Sequence, residues 1–188
     1  MNGKTGKLFI VAGPSGVGKG TVLKKFLAHN DNLIYSISTT TRKPREGEVE
    51  GVNYFYVSRE KFEQMISEDA FLEWAEYSGN LYGTSKNYVT KKLNEGYDII
   101  LEIEVQGVKK IMKQNLDAVS IFIMPPSQEE LEERLRGRNT ESEEAVQKRL
   151  NAAKEEMKNA HLFKYQIKNI TVEQAFNELQ TVYESEKN

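Results

Sequence analysis

The stretch GPSGVGKGT, Gly13 to Thr21, decides the fold of this chain. It follows the apolar run Leu8 to Ala12, which predicts a short buried strand, and a helix is expected after it. In the order strand, glycine-rich turn, lysine and helix, successive backbone N–H groups point at an anion while the helix N-terminus adds its positive end. The spacing of Gly13, Gly18 and Lys19 therefore predicts a loop that binds the phosphates of a nucleoside triphosphate. A chance glycine-rich turn is the alternative, and the strand-to-helix context disfavours it.

The position after the lysine departs from the usual pattern. A Ser or Thr there ordinarily binds magnesium through its hydroxyl, whereas this chain has Gly20. Thr21 comes one residue later and could contribute directly or through water. Nucleotide kinases of the adenylate kinase type, which this loop resembles, also carry the string GKGT. We therefore expect ATP and Mg²⁺ to bind here. The loop residues assigned to ATP are Gly13, Pro14, Ser15, Gly16, Val17, Gly18, Lys19, Gly20 and Thr21.

Composition narrows the class of protein. The chain has 188 residues, a formal net charge of −2, no cysteine and two histidines. Lack of cysteine excludes disulfides, thiolate metal sites and a thiol nucleophile, and it is compatible with a reducing cytoplasm. The net charge shows no excess of basic residues of the kind that binds nucleic acid. The apolar run before the loop is too short for a signal segment or a membrane span. We expect a cytoplasmic protein without a nucleic-acid or membrane partner, and a homo-oligomer stays open.

Long apolar strands alternate with helices along the chain. This alternation predicts an α/β fold with a parallel sheet covered by helices. The resemblance of the phosphate loop to that of nucleotide kinases implies that it is the P-loop NTPase fold. Beyond the first strand, the expected strands are LIYSISTTT from Leu33, YFYV from Tyr54, DIILEIEVQG from Asp98, AVSIFIMPP from Ala118 and YQIKN from Tyr165. This alternation is interrupted at about residues 36 to 87, which include the turn-rich loop SGNLYGTS and suggest an inserted lobe. The charged helix pair at about 127 to 157 suggests a second movable piece.

Hydroxyls, arginines and tyrosines are concentrated in SISTTTRKPREGEVEGVNYFYV, Ser36 to Val57. Arg42 and Arg45 can form a fork for a phosphate monoester, with a bidentate geometry that lysine does not match. A solvated basic loop is the alternative. Downstream, Glu73 is a candidate base filter, because a carboxylate can accept hydrogen bonds from guanine N1–H and N2–H₂, which adenine does not offer.

Together these motifs resemble the guanylate kinase family in its compact bacterial form. The resemblance runs almost end to end, from FIVAGPSGVGKG through STTTRKPREGEVEGVNYFYV, FLEWAEYSGNLYGTS and LEIEVQG to RLRGRNTES and KRLNAA. It implies transfer of the ATP γ-phosphate to GMP, and to dGMP, with Mg²⁺. It also implies one domain of three parts: a core at about 1–35, 88–126 and 158–188, a GMP-binding lobe at about 36–87, and a lid at about 127–157.

The same resemblance assigns roles to individual residues. Arg42, Arg45, Tyr54 and Tyr82 would hold the GMP phosphate, Ser38, Glu73 and Thr84 would read the guanine, and Glu104 would lie near the base or ribose. Lys19, Arg42, Arg134, Arg138 and Arg149 would act on the transferring phosphate, and Asn169 would lie near the adenine. An exposed helix crossed by ion pairs is the alternative for Arg134 and Arg138, and the four-residue spacing predicts a pair between Glu130 and Arg134.

Many relatives carry aspartate where this chain has Glu102 and Glu104. A period of two predicts that both lie on one face of a strand, and Glu102 is a candidate for magnesium, directly or through water. An ordinary polar strand face is the alternative.

The sequence also bears on three rival functions. Guanylate-kinase-like scaffold domains bind phosphopeptides, but they carry a degraded phosphate loop, whereas Gly13, Gly16, Gly18 and Lys19 are all present here. A regulatory GTPase is disfavoured because the sequence has no N-K-x-D and no D-x-x-G string. A P-loop kinase acting on another monophosphate stays open.

Overall fold

The structure, a computed structural model, describes residues 5–114, 116–137 and 142–187. Strands and α-helices alternate along these ranges. The strands are β1 (Leu8–Ala12), β2 (Leu33–Tyr35), β3 (Thr39–Thr40), β4 (Phe55–Tyr56), β5 (Phe71–Tyr77), β6 (Asn80–Ser85), β7 (Asp98–Glu102), β8 (Ala118–Met124) and β9 (Tyr165–Lys168). The helices are α1 (Lys19–His29), α2 (Arg59–Ser67), α3 (Lys86–Asn94), α4 (Val105–Met112), α5 (Gln128–Arg136), α6 (Glu143–Met157) and α7 (Val172–Lys187), with a short 3₁₀ helix at Ala160–Leu162.

Five strands form the larger sheet, in the order β2, β7, β1, β8, β9. The pairs β2–β7 and β8–β9 are parallel, with Leu33 opposite Asp98 and Ile121 opposite Tyr165. All five residues of β1 are buried, as are the central residues of β8. Continuous apolar strands of this kind belong to a parallel sheet with both faces covered. The predicted α/β fold is confirmed.

The second sheet has four strands in the order β4, β3, β6, β5, and β3 pairs parallel with β4 but antiparallel with β6. The prediction of a loop over SGNLYGTS was wrong, because β5 and β6 form a hairpin. Only Ser78 and Gly79 make its turn, both with positive φ (49° and 76°). Two residues of that conformation match the twist of an antiparallel pair, so Tyr82 and Thr84 lie on a strand.

Two other strand predictions also needed correction. LIYSISTTT is not one strand: β2 ends at Tyr35, and Thr39 and Thr40 join the second sheet as β3. The expected strand over Asp98 to Gly107 stops at Glu102, and α4 already begins at Val105. Glu104 therefore lies beyond the strand, so the period of two does not place it on a strand face with Glu102.

Most helices begin at a serine cap. The side chain of Ser58 accepts the N–H of Lys61, and three further serines cap α3, α5 and α6 in the same way. Helix α1 differs, because it follows Gly18 and has no side-chain cap. Its first N–H groups are therefore available to a ligand. Among the described residues, no helix is long and apolar enough to cross a membrane.

The chain divides into two compact units. The first comprises Asn32–Leu101 and Gln106–Asp117 with the N-terminal residues up to Leu8, and the second comprises Phe9–Asp31, Glu102–Val105 and Ala118–Asn188. The first contains the four-stranded sheet, whose core includes a stacked pair of Phe62 and Phe71 with ring centroids 4.4 Å apart. The second contains the glycine-rich loop and helices α1, α5, α6 and α7. The division into core, lobe and lid stays a prediction.

Candidate active site

The glycine-rich loop of the second unit joins β1 to α1 and is tightly constrained. Gly18 has φ 93° and ψ 16°, a left-handed conformation that other residues adopt at a cost. A Cβ at Gly13 would lie 2.2 Å from the carbonyl oxygen of Ile123, so β8 lies directly against the loop backbone. Both glycines are therefore required by the geometry of the loop.

The side chain of Lys19 folds back across this loop. Its Nζ donates to the carbonyl oxygens of Gly13 at 2.5 Å and Pro14 at 3.3 Å. A phosphate chain entering the loop would offer charged oxygens in place of these neutral acceptors, and hydrogen bonds to an ionised acceptor are the stronger kind. The ammonium is thus held at the place where a phosphate is expected.

Three carboxylates act on the Lys19 ammonium. Burial lowers the pKa of Lys19, and the charges of Glu102, Glu156 and Glu104 oppose that shift. Burial also raises the pKa of Glu156, which the sequence analysis had not selected. Its helical spacing could have drawn attention to it, since Glu156 lies two turns beyond Arg149 on the same side of α6. Arg149 Nη2 donates to Ser15 Oγ at 2.8 Å, which turns this side of the helix toward the loop.

The outer side of the loop is held by Asn169 and Arg134. Asn169 Nδ2 donates to the carbonyl oxygen of Val17 at 2.7 Å, and Arg134 Nη1 donates to the same oxygen at 3.3 Å. The predicted ion pair is confirmed, with 3.1 Å between Arg134 Nη2 and Glu130 Oε1. The roles assigned to Asn169 at the adenine and to Arg134 at the transferring phosphate stay predictions. Arg138 lies outside the described residues.

An arginine–tyrosine cluster occupies the first unit, where the acceptor phosphate is predicted to bind. The Arg42 guanidinium lies over the Tyr54 ring at 5.3 Å, and the Tyr54 and Tyr82 ring centroids are 6.1 Å apart. The pKa of Arg42 is raised, chiefly by its hydrogen bond to Glu48 and also by one to Tyr82. Three of the four residues predicted to hold the GMP phosphate are therefore close together, and the fourth, Arg45, is exposed.

Glu48 organises this cluster, although the sequence analysis had not selected it. Its Oε1 accepts from Arg42 Nη2 at 2.7 Å, and its Oε2 accepts from the Arg45 backbone N–H at 2.7 Å and the Tyr56 hydroxyl at 2.8 Å. The hydrogen bonds from Arg42 and the Arg45 backbone lower the pKa of Glu48 to about 2. The three-residue spacing of Arg42, Arg45 and Glu48 was the available signal.

The predicted base filter lies on the β5–β6 hairpin. Thr84 is paired with Glu73 across the two strands, and its hydroxyl donates to Glu73 Oε1 at 2.8 Å. Tyr82 and Thr84 are two apart on β6 and so face the same side of the sheet. Ser38 immediately precedes β3, where its carbonyl oxygen accepts from Phe55 N–H at 2.8 Å. Its hydroxyl stays a predicted guanine contact.

The oxygen donors near the loop fit a magnesium ion held mainly by nucleotide phosphates. Thr21 lies exposed in the first turn of α1, and Glu102 lies half-buried at the end of β7. Among the described residues, no group of three or more His, Cys, Asp or Glu side chains forms a ready-made metal site. Magnesium commonly binds through one or two carboxylates, substrate phosphates and water, so such a site is not required.

Comparisons with known proteins agree with this geometry. The family model for guanylate kinase matches residues 5–186. The guanylate kinase of Halalkalibacterium halodurans is 49% identical over 186 residues, covering 99% of this chain and 91% of the relative. That of Bacillus cereus is 49% identical over 183 residues, covering 97% and 89%.

Solved structures give the same result. The crystal structure of guanylate kinase from Anaplasma phagocytophilum matches with a TM-score of 0.73 at 32% identity, over 97% of this chain and 87% of that one. TT1252 from Thermus thermophilus matches with a TM-score of 0.55 at 14% identity, over 98% and 100%, and supports the fold alone. The parallel sheet and its phosphate loop define a P-loop phosphotransferase of the nucleoside monophosphate kinase class. Within that class, the chain belongs to the guanylate kinase family.

Proposed function

We propose that this protein transfers the γ-phosphate of ATP to GMP, giving ADP and GDP. The intact phosphate loop carries the proposal: its glycines keep the required conformation, and Lys19 Nζ lies across it. A domain that had kept only recognition would not need this lysine. The relatives at 49% identity are named guanylate kinases, which supports the same reaction.

The chemistry needs charge neutralisation and alignment more than a base. An acceptor phosphate oxygen is already anionic near neutral pH, so its repulsion from the γ-phosphate is the main obstacle to in-line transfer. Lys19 and Arg149 would offset this charge on the loop side, and Arg42 would do so at the acceptor. Mg²⁺, held by Thr21 or Glu102 directly or through water, would neutralise further charge on the ATP phosphates.

Guanine selection is assigned to the β5–β6 hairpin. Thr84 holds Glu73 Oε1, so the carboxylate is oriented before a base arrives. An oriented carboxylate favours a base with two N–H donors on one edge and rejects adenine, which would leave it unpaired. Most of the assigned contacts are to base and phosphate, so dGMP is proposed as a second acceptor.

The proposed partners are the small molecules ATP and GMP, in the cytoplasm, with neither nucleic acid nor a membrane involved. The small net charge of −2 and the absence of cysteine support this assignment. A homo-oligomer is compatible with the proposal, and sedimentation of the purified protein decides it.

The first experiment measures ADP formation from ATP and Mg²⁺ with GMP, dGMP, AMP, UMP, CMP and no acceptor in parallel. We expect ADP with GMP and, more slowly, with dGMP. ADP formation that prefers AMP, UMP or CMP would show a kinase for another monophosphate. Binding of GMP without ADP formation would show a recognition module and overturn the proposal.

A further inference from the structure

The peptide bond between Val17 and Gly18 is held from outside the phosphate loop. Its carbonyl oxygen accepts from Asn169 Nδ2 at 2.7 Å and from Arg134 Nη1 at 3.3 Å. Arg134 Nη2 also donates to the carbonyl oxygen of Asn169 at 3.1 Å, so the two residues brace each other. Two donors from separate parts of the chain thus converge on one backbone oxygen.

This arrangement fixes the direction of the Gly18 N–H. A peptide bond is planar and trans, so its N–H points opposite to its C=O. With the Val17 oxygen held outward, the Gly18 N–H must point toward the inner side of the loop. Among the described residues, this N–H makes no hydrogen bond to protein. It is therefore free for an anion, as in other backbone nests.

The hold on this peptide is tight because Asn169 has little freedom. Asn169 is 2% exposed, and its own backbone N–H donates to Met124 O at 2.8 Å. A Cβ at Gly18 would lie 2.7 Å from Asn169 Nδ2, so the amide touches the loop where a side chain is absent. Asn169 Oδ1 is buried and has no partner among the described residues, so only the Nδ2 end of the amide holds the loop.

We propose that Asn169 and Arg134 are positioning residues for the ATP phosphates. They lock the Val17–Gly18 peptide so that the Gly18 N–H faces the phosphate chain before ATP arrives. This role differs from the contacts with adenine and with the transferring phosphate that the family resemblance implies for them. The inference rests on the proposed function only in taking the loop as the site of the ATP phosphates.

The test separates the phosphates of ATP from its base. Tripolyphosphate and adenosine are titrated separately into the unmodified protein, Asn169→Ala and Arg134→Met by calorimetry without magnesium. We expect each substitution to weaken the binding of tripolyphosphate about five- to tenfold, the equivalent of one ordinary hydrogen bond, and to leave adenosine binding within about twofold. In turnover, the KM for ATP should rise while the KM for GMP is unchanged.

Two control variants test whether loss of a positive charge or loss of an amide side chain is by itself enough to weaken binding. Arg136→Met removes the same charge from the same helix, where Arg136 pairs at the surface with Glu132 and Glu143 and, among the described residues, with no other group. Asn177→Ala removes an exposed amide from α7 of the same unit. Both controls should bind tripolyphosphate within about twofold of the unmodified protein. If Arg136→Met weakened tripolyphosphate binding as much as Arg134→Met does, the effect of Arg134 would be explained by net charge alone. That result would overturn the positioning role of Arg134.

Further outcomes would overturn the inference. If Asn169→Ala lost adenosine binding while tripolyphosphate binding was unchanged, Asn169 would be a residue that contacts the adenine base. Independent, multiplying losses in the double variant would mean that the two residues do not act on one peptide, because groups that share a partner are not additive. Should Asn169→Ala not fold, the half-exposed Arg134 still provides the test. GMP-dependent ADP formation by the unmodified protein is scored separately, so failure of the proposed function is distinguishable.

Discussion

Glu48 is the residue on which Arg42, Arg45 and Tyr56 converge, and it brings a cation, a backbone amide and a hydroxyl into one fixed arrangement. Its position depends on a turn, in which Glu48 N–H donates to Arg45 O at 3.0 Å and Gly47 has φ 82°. Such a turn gives a short loop a defined shape without a helix or strand. The acceptor phosphate would therefore meet a prearranged set of donors.

This arrangement predicts how stability depends on pH. The pKa of Glu48 is lowered from 4.5 to about 2. Between these values the unfolded chain binds more protons than the folded one, so the free energy of unfolding falls as the pH falls. We expect the stability difference between the unmodified protein and Glu48→Gln to be fully present above pH 4.5 and to shrink toward pH 2. Urea unfolding across this range measures it.

Glu46→Gln provides the control for this measurement. Glu46 is exposed in the same loop and, among the residues that the structure describes, bonds to no arginine, so its substitution should leave the pH profile unchanged. A difference between the unmodified protein and Glu48→Gln that stays constant from pH 6 to about pH 2 would contradict the ion pair.

Glu73→Gln should relax the choice of base. The amide keeps one acceptor oxygen but places an NH₂ where a guanine donor is expected, so one of two hydrogen bonds becomes a repulsion. We expect the preference for GMP over AMP, measured as a ratio of kcat/KM values, to fall by about 1–3 kcal/mol. Glu76→Gln, on the same strand, is the control. Unchanged discrimination would remove Glu73 from the role.

Residue types and spacing selected Arg42, Glu73 and Lys19 as candidate site residues, because each carries a charge that suits one part of a nucleotide, and their roles stay predictions. For Glu48 and Glu156 the spacing gave only a weak signal, which did not single them out. A glutamate in a loop or on an exposed helix is usually solvated, and only the folded chain shows which one meets an arginine or is buried.

The missing side-chain cap is the main feature of α1. The helix starts directly after Gly18, so its first turn offers N–H groups to an anion in place of a serine oxygen. Gly20 lies in this turn, and a Cβ built there meets no described atom within 4 Å. The glycine is therefore not needed for packing.

Gly20→Ser should consequently be tolerated and should restore the usual hydroxyl. We expect the free energy of unfolding to rise by about 0.5 kcal/mol, because glycine is the poorer helix former. The magnesium concentration for half-maximal activity should fall, because a hydroxyl after the lysine ordinarily binds the ion. Both quantities are measured on one protein preparation. An unchanged magnesium requirement would leave the role to Thr21 or Glu102.

Helices, buried strands and the short strand β4 were predictable, whereas β3 was not predicted as a strand separate from β2. Helix α3 begins and ends at signals that the sequence itself carries, because Ser85 caps it and its last turn precedes Gly96. Strands β3 and β4 have two residues each, and their pairing comes from tertiary contacts, such as Phe55 N–H to Ser38 O. A two-residue strand has too few positions to show alternation.

For the molecule as a whole, the assignment of ATP and GMP to separate units can be tested by hydrogen exchange. A ligand that binds the folded state stabilises it by about 2.7 kcal/mol at a concentration one hundred times its Kd. We expect GMP alone to slow exchange chiefly in β3, β5 and β6, and ATP alone to slow it chiefly in residues 13–21. Protection of the loop by GMP, with none in the β5–β6 hairpin, would contradict the assignment.

The close packing of β8 against the loop also has a consequence for biosynthesis. The loop is synthesised early, but the groups that hold it, Ile123, Arg134 and Asn169, come much later in the chain. Translation proceeds at about 5–20 residues per second, so roughly 5–20 seconds pass between the synthesis of β1 and that of its neighbours in the sheet, β7 and β8. The four-stranded sheet lies between β2 and β7 in sequence and can pair during that interval. The nascent chain should therefore complete its phosphate loop only after β9 and Asn169 have left the exit tunnel.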